Sequence, residues 1–198
     1  MSVYALKPKF QNLLRPLVRR LAGAGVTANQ VTVAAALGSI VAGGVAAAGY
    51  YRLFLLLPAW LFVRMALNAI DGMLAREFGQ KSALGAYLNE LGDVISDIAL
   101  VLPFLVIPAF NPADIWAFAL AAAVVECAGL IGPLAGATRR YDGPLGKSDR
   151  AVAVGAFGLW IGLGLTVAPW ATWIWRALIV LAVLTLCKRV RNGVAEAR

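Results

Sequence analysis

Histidine is absent from this chain of 198 residues, and only two cysteines occur, Cys127 and Cys187. The lack of histidine removes the commonest general base and the commonest metal ligand, so proton transfer and metal binding must use Asp, Glu, Asn or Lys. The two cysteines show neither a pairing motif nor metal-ligand spacing. Because the remaining ligands are hard oxygen atoms, a bound metal would be Mg²⁺, Mn²⁺ or Ca²⁺ rather than zinc.

Charged residues are also scarce, at 14% of the chain, whereas 61% of the residues are hydrophobic. The mean hydropathy of +0.79 lies far above that of ordinary soluble domains. Several apolar segments reach about twenty residues, which is enough to cross about 30 Å of hydrocarbon. The sequence therefore predicts an all-α integral membrane protein with a single domain over residues 1–198. Six transmembrane helices are predicted near 29–50, 54–76, 83–108, 113–137, 150–168 and 170–188, forming a bundle over 26–190.

The first 25 residues differ from these spans because basic side chains stand among apolar ones. The basic residues are Lys7, Lys9, Arg15, Arg19 and Arg20. A basic amphipathic segment of this kind typically lies along a membrane surface and is attracted to anionic lipids. We therefore predict an N-terminal amphipathic interfacial helix within residues 1–25.

Most of the other Lys and Arg residues fall on one side of the predicted membrane. They are Arg76, Lys81, Arg139, Arg140, Lys147, Arg150, Lys188, Arg189, Arg191 and Arg198. The positive-inside rule places both termini in the cytoplasm, and we expect a protein of the bacterial inner membrane. The net charge of +8 then reflects topology, and no soluble basic face is predicted that would bind nucleic acid. Trp170, Trp173 and Trp175 are expected to mark the opposite membrane interface.

Polar residues nevertheless occur inside two neighbouring spans at helical spacing. They are Asn68, Asp71, Gly72 and Arg76 in the second span, and Gly85, Asn89, Asp93 and Asp97 in the third. Steps of three or four place each group on one helix face, and the short loop 77–82 favours antiparallel neighbours. Because ionisable groups inside a bilayer are usually functional, we expect a polar cavity open to the cytoplasm, with Arg76 at its mouth.

A purely structural explanation is that these side chains join helices by hydrogen bonds, although fewer polar groups at matching depth would suffice for that. Arg64 lies deeper than Asp71 on the same helix face. We expect it to form a structural ion pair with Glu126 of the fourth span.

The polar frame resembles the signature of the CDP-alcohol phosphotransferases. That signature reads Asp, two residues, Asp-Gly, two residues, Ala-Arg, eight residues, Gly, three residues, Asp, three residues, Asp. The same spacing runs here through Asn68, Asp71, Gly72, Ala75, Arg76, Gly85, Asn89 and Asp93. Residues 26–32 are similar to the family's Thr-Pro-Asn segment, with Ala28 in place of Pro. The resemblance implies six spans, cytoplasmic termini and a homodimer.

The resemblance also implies a reaction, in which an alcohol displaces CMP at the β-phosphorus of a donor such as CDP-diacylglycerol. Asp71 and Asp93 would hold Mg²⁺ or Mn²⁺, Arg76 would bind phosphate oxygens, and Asp93 would accept the alcohol's proton. The implied donor-binding residues are Asn29, Thr32, Asn68, Asp71, Gly72, Arg76, Gly85 and Asn89. An alternative for Asn29 and Thr32, and for Thr27, is capping of the first span.

Two departures from the signature affect the implied metal site. Asn68 and Asn89 replace the first and third of the family's four acidic residues, which together hold a pair of divalent cations. Asparagine can still coordinate through its carbonyl oxygen, but two negative charges remain where the family has four. We therefore expect one well-held ion. A catalytically silent scaffold is an alternative, and a small ion-coupled transporter is a weaker one, since the chain lacks a second Gly/Pro-interrupted span.

The basic residues between the fourth and fifth spans are predicted to bind the acceptor alcohol. They are Arg139, Arg140, Lys147 and Arg150. Cations beside the cavity mouth suit a phosphorylated or otherwise anionic alcohol. The alternative is that they only anchor the topology.

Overall fold

The computed structural model describes residues 6–198, with side chains from Lys9 onward. This part of the chain consists of helices and loops, without a β-strand, so the all-α fold class is confirmed. The helices are α1 (Leu6–Gly23), α2 (Ala28–Ala46), α3 (Leu56–Glu77), α4 (Ala83–Val101), α5 (Pro112–Leu134), α6 (Lys147–Gly162) and α7 (Thr172–Glu196). Short 3₁₀ turns lie at Tyr51–Leu55, Leu102–Val106 and Pro169–Ala171.

The six predicted spans correspond to α2 through α7, with different ends. Four segments are long and apolar enough to cross a membrane by length and composition: Ala28–Ala46, Tyr51–Glu77, Pro112–Leu134 and Pro169–Glu196. The other two helices are less apolar or shorter, because α4 contains Glu90, Asp93 and Asp97 and α6 has 16 residues. The count of six spans therefore stays a prediction. The third predicted span extends to residue 108, but α4 ends at Val101, where a 3₁₀ turn containing Pro103 begins.

Helix α1 covers most of the predicted amphipathic segment and continues through Pro16. Its Val18 is fully buried and packs with Val31 of α2 and Ile70 of α3, so an apolar face attaches α1 to the bundle. Residues 1–5 and the side chain of Lys7 lie outside the described part of the chain. The position of α1 at a membrane surface stays a prediction.

Local hydrogen bonds fix the first turns of α2 and α4. Thr27 Oγ1 accepts from Gln30 N at 3.2 Å, and Gln30 Oε1 accepts from Thr27 N at 2.9 Å, so the predicted capping role of Thr27 is confirmed. Gln80 in the α3–α4 loop accepts from Ala28 N at 2.6 Å. Ser82 caps α4 by accepting from Gly85 N at 3.0 Å. The loop between α3 and α4 is thereby held against the first turn of α2.

Helix α2 packs against both α3 and α4. The contact with α4 depends on Gly43, because a β-carbon at that position would lie 2.1 Å from the backbone oxygen of Ala99. Small residues allow helix backbones to approach this closely. Helix α2, which carries most of the segment at 26–32, is therefore in contact with both of the helices that carry the signature residues.

Aromatic side chains fill the end of the bundle where α3 and α7 begin. Phe157 and Trp175 stack with ring centroids 4.7 Å apart, and Phe104 lies 5.1 Å from Trp175 and 5.5 Å from Phe54. We call this region, with Phe110 and Phe118, the aromatic end. The opposite end, around Asp71 and Asp93, is called the site end.

The prediction that three tryptophans mark the opposite membrane interface is wrong for Trp175 and stays a prediction for Trp170 and Trp173. Trp170 and Trp173 are exposed, as a membrane-interface position requires, whereas Trp175 has no exposed surface. Trp175 instead lies on the buried stripe of α7 with Leu178, Ala182 and Thr185. Its large apolar surface is used in the core rather than at an interface.

Candidate active site

Asp71 lies on α3 beside the first turns of α2. Its carboxylate is buried and accepts a hydrogen bond from Thr32 Oγ1 at 2.9 Å. The same hydroxyl lies 3.0 Å from Ala28 O, so its single proton is shared between the two acceptors. No ion pair to Asp71 occurs among the described side chains, which distinguishes it from the acidic residues of α4. Thr32 therefore orients a carboxylate whose charge is left uncompensated by the chain.

Two signature glycines make room for polar side chains at this site. A β-carbon at Gly85 would lie 2.7 Å from Asn29 Oδ1, so the glycine lets the first turns of α2 and α4 meet. A β-carbon at Gly72 would lie 3.0 Å from both terminal nitrogens of Arg76, whose guanidinium folds back over that position. Asn29 thus lies against Gly85, and Arg76 lies over Gly72, the residue that follows Asp71.

Asn68 and Asn89 lie on the same helix faces as Asp71 and Asp93, and both are half-buried. Asn68 is one turn before Asp71 on α3, and Asn89 is one turn before Asp93 on α4. Within the described residues there is no group of three or more His, Cys, Asp or Glu side chains placed to hold a metal ion. Since two of the four signature positions carry amides, a cluster of acidic ligands cannot form there.

An alternating chain of charges runs from this site into the bundle, and we call it the ionic chain. Its members, in order, are Lys147, Asp93, Arg64, Asp97, Arg150, Glu126 and Arg189. Arg64 Nη2 lies 3.0 Å from Asp93 Oδ1, and its Nη1 lies 2.8 Å from Asp97 Oδ1. Arg150 Nη2 lies 3.0 Å from Asp97 Oδ2 and 2.7 Å from Glu126 Oε1. Five helices, α3 through α7, each contribute at least one residue.

The expected ion pair between Arg64 and Glu126 is wrong. Arg64 faces α4 and binds Asp93 and Asp97, whereas Glu126 of α5 binds Arg150 and, at 3.6 Å, Arg189. The physical reason is helix adjacency, because α3 packs against α6 whereas α5 packs mainly against α7 and α4.

Arg189 is a member of the ionic chain that the sequence analysis assigned only to a cytoplasmic basic cluster. It is 2% exposed, and its guanidinium donates to Val125 O at 2.6 Å and to Asp142 O at 3.2 Å. A signal was available in the sequence, since Arg189 continues the stripe of buried α7 residues that includes Trp175, Ala182 and Thr185.

The predicted acceptor-binding residues fall into two groups. Lys147 and Arg150 lie in the first turn of α6, where Lys147 Nζ pairs with Asp93 Oδ2 and Arg150 is buried. Arg139 and Arg140 lie in the α5–α6 loop. Arg139 binds both oxygens of Glu90, and Arg140 binds Asp142 and Glu196. The hydrogen bond from Arg140 holds the pKa of Asp142 below its usual value, so Asp142 is a stable anionic partner.

The donor set beside Asp71 fits one divalent cation. A carboxylate and two amide oxygens are hard ligands of the type that Mg²⁺ and Mn²⁺ accept. Asp93 is different, because one carboxylate oxygen faces Arg64 and the other faces Lys147. The residues present therefore suit a single ion near Asp71, Asn68 and Asn89 better than a pair of ions shared with Asp93.

Solved structures share this fold. Phosphatidylinositol phosphate synthase PgsA1 of Mycobacterium tuberculosis, in complex with manganese and citrate, matches with a TM-score of 0.75 and 21% identity over 90% of this chain and 87% of that one. The same enzyme with CDP-DAG bound gives a TM-score of 0.76, covering 90% of this chain and 92% of that chain. At this identity the similarity establishes the architecture alone.

Sequence relatives extend the comparison. Inner membrane protein YnbA of Escherichia coli is 46% identical over 197 residues, which cover 97% of this chain and 96% of that protein. Archaetidylinositol phosphate synthase of Pyrococcus horikoshii is 31% identical over 96 residues, about half of each chain (48% and 50%). The model of the CDP-alcohol phosphatidyltransferase family matches residues 25–187, which include every signature position and all of α2 to α6. The chain is therefore a member of the CDP-alcohol phosphatidyltransferase family.

Proposed function

We propose that this protein transfers a substituted phosphate group from a CDP-linked lipid to an alcohol and releases CMP. The observation that carries the proposal is the position of α2, which places Thr32 on Asp71 of α3 and Asn29 against Gly85 of α4. The donor would be CDP-diacylglycerol or a similar lipid, as the CDP-DAG bound to the mycobacterial enzyme suggests. The acceptor would be a small alcohol that enters from the membrane surface.

In this proposal the residues beside Asp71 bind the donor's pyrophosphate. Asp71, with the amide oxygens of Asn68 and Asn89, would hold Mg²⁺ or Mn²⁺, which would neutralise charge on the pyrophosphate and on the leaving CMP. The manganese in the mycobacterial structure supports a divalent ion. Arg76, folded over Gly72, would offer its planar donor groups to phosphate oxygens. Asn29 would add a polar contact at the α2 end of the same site.

The transfer step needs one proton acceptor. The oxygen of the alcohol forms a bond to the β-phosphorus, the bond between that phosphorus and the bridging oxygen breaks, and CMP leaves with the bonding electrons. The proton of the alcohol would pass to Asp93, because histidine is absent and Asp93 is the signature carboxylate that pairs with the partly exposed Lys147.

The acceptor would bind on the α6 side of Asp93. Lys147 and Arg139 are partly exposed there, with 33% and 30% of their side chains accessible. Arg150 is buried, yet its Nε has no hydrogen-bond partner among the described residues. Arg140 lies at the loop on the same side. These cations suit a phosphorylated alcohol. The names of two similar proteins, the archaeal archaetidylinositol phosphate synthase and the mycobacterial phosphatidylinositol phosphate synthase, support that class.

The cellular setting follows the same proposal. The Escherichia coli relative is named an inner membrane protein, which supports a bacterial inner-membrane location for this chain. Both termini and the mouth of the site would face the cytoplasm, and the protein would act as a homodimer. Site-directed cysteine labelling of the two termini in intact cells would test the orientation.

The deciding experiment is an assay of donor-dependent CMP release. The purified protein would be incubated with CDP-diacylglycerol, Mg²⁺ or Mn²⁺, and a panel of free and phosphorylated polyols, and the lipid product would be identified by mass spectrometry. We expect CMP release that requires metal and is lost in Asp71→Asn. Absence of CMP release with every acceptor would contradict the proposal.

A catalytically silent member that scaffolds other lipid enzymes is the second candidate. Two observations favour it, namely the amides at Asn68 and Asn89 and the two cations on Asp93. Donor-dependent CMP release would exclude this candidate, and it would exclude an ion-coupled transporter as well.

A further inference from the structure

We propose that the Lys147 ammonium group takes the place of a second divalent cation, and that it moves from Asp93 to the donor's pyrophosphate when the donor binds. The inference rests on the donor site of the proposed function but not on turnover. Lys147 is the first residue of α6, and its Nζ pairs with Asp93 Oδ2. Arg64 occupies the other oxygen, Oδ1, at 3.0 Å. Both oxygens of Asp93 therefore face cations that the chain itself supplies.

The side chains around the site already carry an excess of positive charge without any added ion. The ionic chain contains four cations and three carboxylates, Asp71 beside it is the fourth carboxylate, and Arg76 over Gly72 is a fifth cation. One divalent cation would add two positive charges, and a pyrophosphate diester carries one negative charge on each phosphate. A single ion and the donor therefore enter as a neutral set. Two divalent cations would leave uncompensated positive charge among apolar helices, which is unfavourable.

Of the two cations on Asp93, only Lys147 is free to move. One third of its side chain is exposed, compared with 5% for Arg64. Arg64 is held by Asp97 and by the backbone oxygen of Asp93 as well as by the Asp93 carboxylate. Lysine also has a flexible stem and a compact charge, so it can exchange one anionic partner for another within a short distance.

The exchange links donor binding to proton acceptance. While Lys147 pairs with Asp93, one carboxylate oxygen is occupied. When the ammonium group moves to the pyrophosphate, that oxygen becomes available to the alcohol that will attack the phosphorus. Lys147 would thus bind the donor and, by leaving, prepare Asp93 for the acceptor.

The test measures Mn²⁺ and CDP binding to the full-length protein in detergent, using calorimetry and electron paramagnetic resonance. The wild type should bind about one Mn²⁺ per chain and show the spectrum of an isolated ion. Lys147→Met should raise the Mn²⁺ affinity about tenfold without CDP, because a nearby positive charge is removed. The same variant should weaken CDP binding about tenfold in saturating Mn²⁺, because a cation on the pyrophosphate is lost.

The proposal predicts opposite changes in the Mn²⁺ affinity and the CDP affinity. Lys81→Met is the matched control, since it removes a lysine from the exposed α3–α4 loop, and it should leave both affinities unchanged. A lysine with a purely structural role would lower both affinities together, and that result would overturn the inference. A pair of coupled Mn²⁺ ions in the wild type would overturn it too. Lys147→Gln replaces the methionine variant if that protein does not fold.

A second comparison separates this inference from the proposed function. Asp71→Asn should weaken Mn²⁺ binding at least about tenfold more than Asp93→Asn does, because Asp71 lacks a cationic partner and Asp93 has two. Equal losses would contradict the single-ion site. If these binding results hold and no CMP is released, the proposed reaction fails while the role of Lys147 stands. CMP release accompanied by a coupled pair of Mn²⁺ ions would support the proposed reaction and overturn the role of Lys147.

Discussion

The two ends of the helix bundle are filled by different kinds of side chain, aromatic at one end and charged at the other. At the aromatic end, Phe104, Phe157 and Trp175 are buried in mutual contact. At the site end, the ionic chain crosses five helices with alternating charges. Phe54 lies in the 3₁₀ turn that precedes α3, and it is separated from Asp71 of α3 by about 25 Å at about 1.5 Å per residue.

This difference indicates that one end of the bundle mainly stabilises the fold and the other mainly binds ligands. Apolar packing favours folding directly, whereas buried ion pairs often contribute little beyond the cost of removing charges from water. The aromatic end can therefore hold the helices in place while the site end carries charges chosen for binding. A substitution at the aromatic end should consequently change stability and leave activity unaltered. A substitution at the site end should change activity or metal binding, and it should also lower stability where it adds a charge or leaves a buried charge without its partner.

The largest expected effect is on turnover, from Asp93→Asn at the site end. Loss of a proton acceptor commonly lowers the rate by about 10²- to 10⁴-fold. Folding should survive, because Arg64 keeps its bond to Asp97 and to the backbone oxygen of Asp93. CMP release and thermal unfolding in detergent would be measured together. Asp114→Asn, which removes a carboxylate that pairs with Arg176 near the aromatic end, is the control. Near-normal turnover in Asp93→Asn would contradict the assignment.

At the aromatic end, Trp175→Ala should reduce the free energy of unfolding by about 3–5 kcal/mol, because a fully buried aromatic side chain is replaced by a cavity. The donor KM should stay unchanged, since the substitution lies far from Asp71. The matched control is Trp173→Ala, whose side chain is 62% exposed and should cost little. Equal destabilisation by the two variants would refute the buried role of Trp175.

The ionic chain itself is tested by Glu126→Gln, which should destabilise the fold by about 3 kcal/mol, because Arg150 and Arg189 lose a shared carboxylate. Equilibrium unfolding in denaturant would measure the change. The double variant Glu126→Gln with Arg150→Met should recover part of the loss, since it removes the buried cation along with its partner. If the double variant is no more stable than the single one, the pair is not coupled.

Features that depend on one helix or one short loop were the easiest to predict from the sequence. Helical spacing grouped Asn68 with Asp71 and Asn89 with Asp93, and the structure adds that Thr32 bonds Asp71 and that Asn29 lies against Gly85. The groupings were accessible from the sequence because each depends on one helix face, and their union in one site stays a prediction. The capping of α2 by Thr27 was likewise readable from local sequence.

Contacts between distant helices were less accessible to sequence reasoning. The periodicity of α3 places Arg64 on the face of Asp71 but does not say which helix lies opposite at that depth. A usable signal was missed, since Arg64 and Asp97 lie at nearly equal distances in sequence from Gln80, in the loop that joins their antiparallel helices. Trp175 was misassigned because a run of tryptophans near a helix start suggests an interface, whereas the rotation of α7 decides which of them is buried.

A smaller effect is expected on the affinity for divalent metal. Restoring both signature carboxylates with Asn68→Asp and Asn89→Asp should raise the Mn²⁺ affinity about tenfold or more, because two negative charges are added beside Asp71. Stability without metal should fall by about 1–2 kcal/mol, since the new charges repel one another in a partly desolvated site. Calorimetric titration and unfolding with and without Mn²⁺ would measure both changes.

The control for that double variant comes from the aromatic end. Asn111→Asp adds a negative charge at the N-cap of α5, where aspartate caps as well as asparagine does, and should not alter Mn²⁺ affinity. Unchanged metal affinity in the double variant would refute the placement of Asn68 and Asn89 in one cluster with Asp71.

The smallest expected effect comes from neutralising Arg139 and Arg140. Both guanidinium groups are already paired, Arg139 with Glu90 and Arg140 with Asp142 and Glu196, so only part of their charge is available to an anionic acceptor. We expect Arg139→Gln with Arg140→Gln to raise the acceptor KM by roughly threefold to tenfold and to leave the donor KM unchanged.

A control substitution in an ion pair at the opposite end of the bundle decides whether the rise in the acceptor KM reflects acceptor binding. Arg176 lies near the aromatic end, and it also pairs with a carboxylate, that of Asp114, at 2.9 Å. Arg176→Gln should therefore leave the acceptor KM unaltered, because its charge lies far from Asp93. If both variants raise the acceptor KM equally, the effect is a general loss of folded protein. If neither does, Arg139 and Arg140 serve only to anchor the chain at the membrane surface.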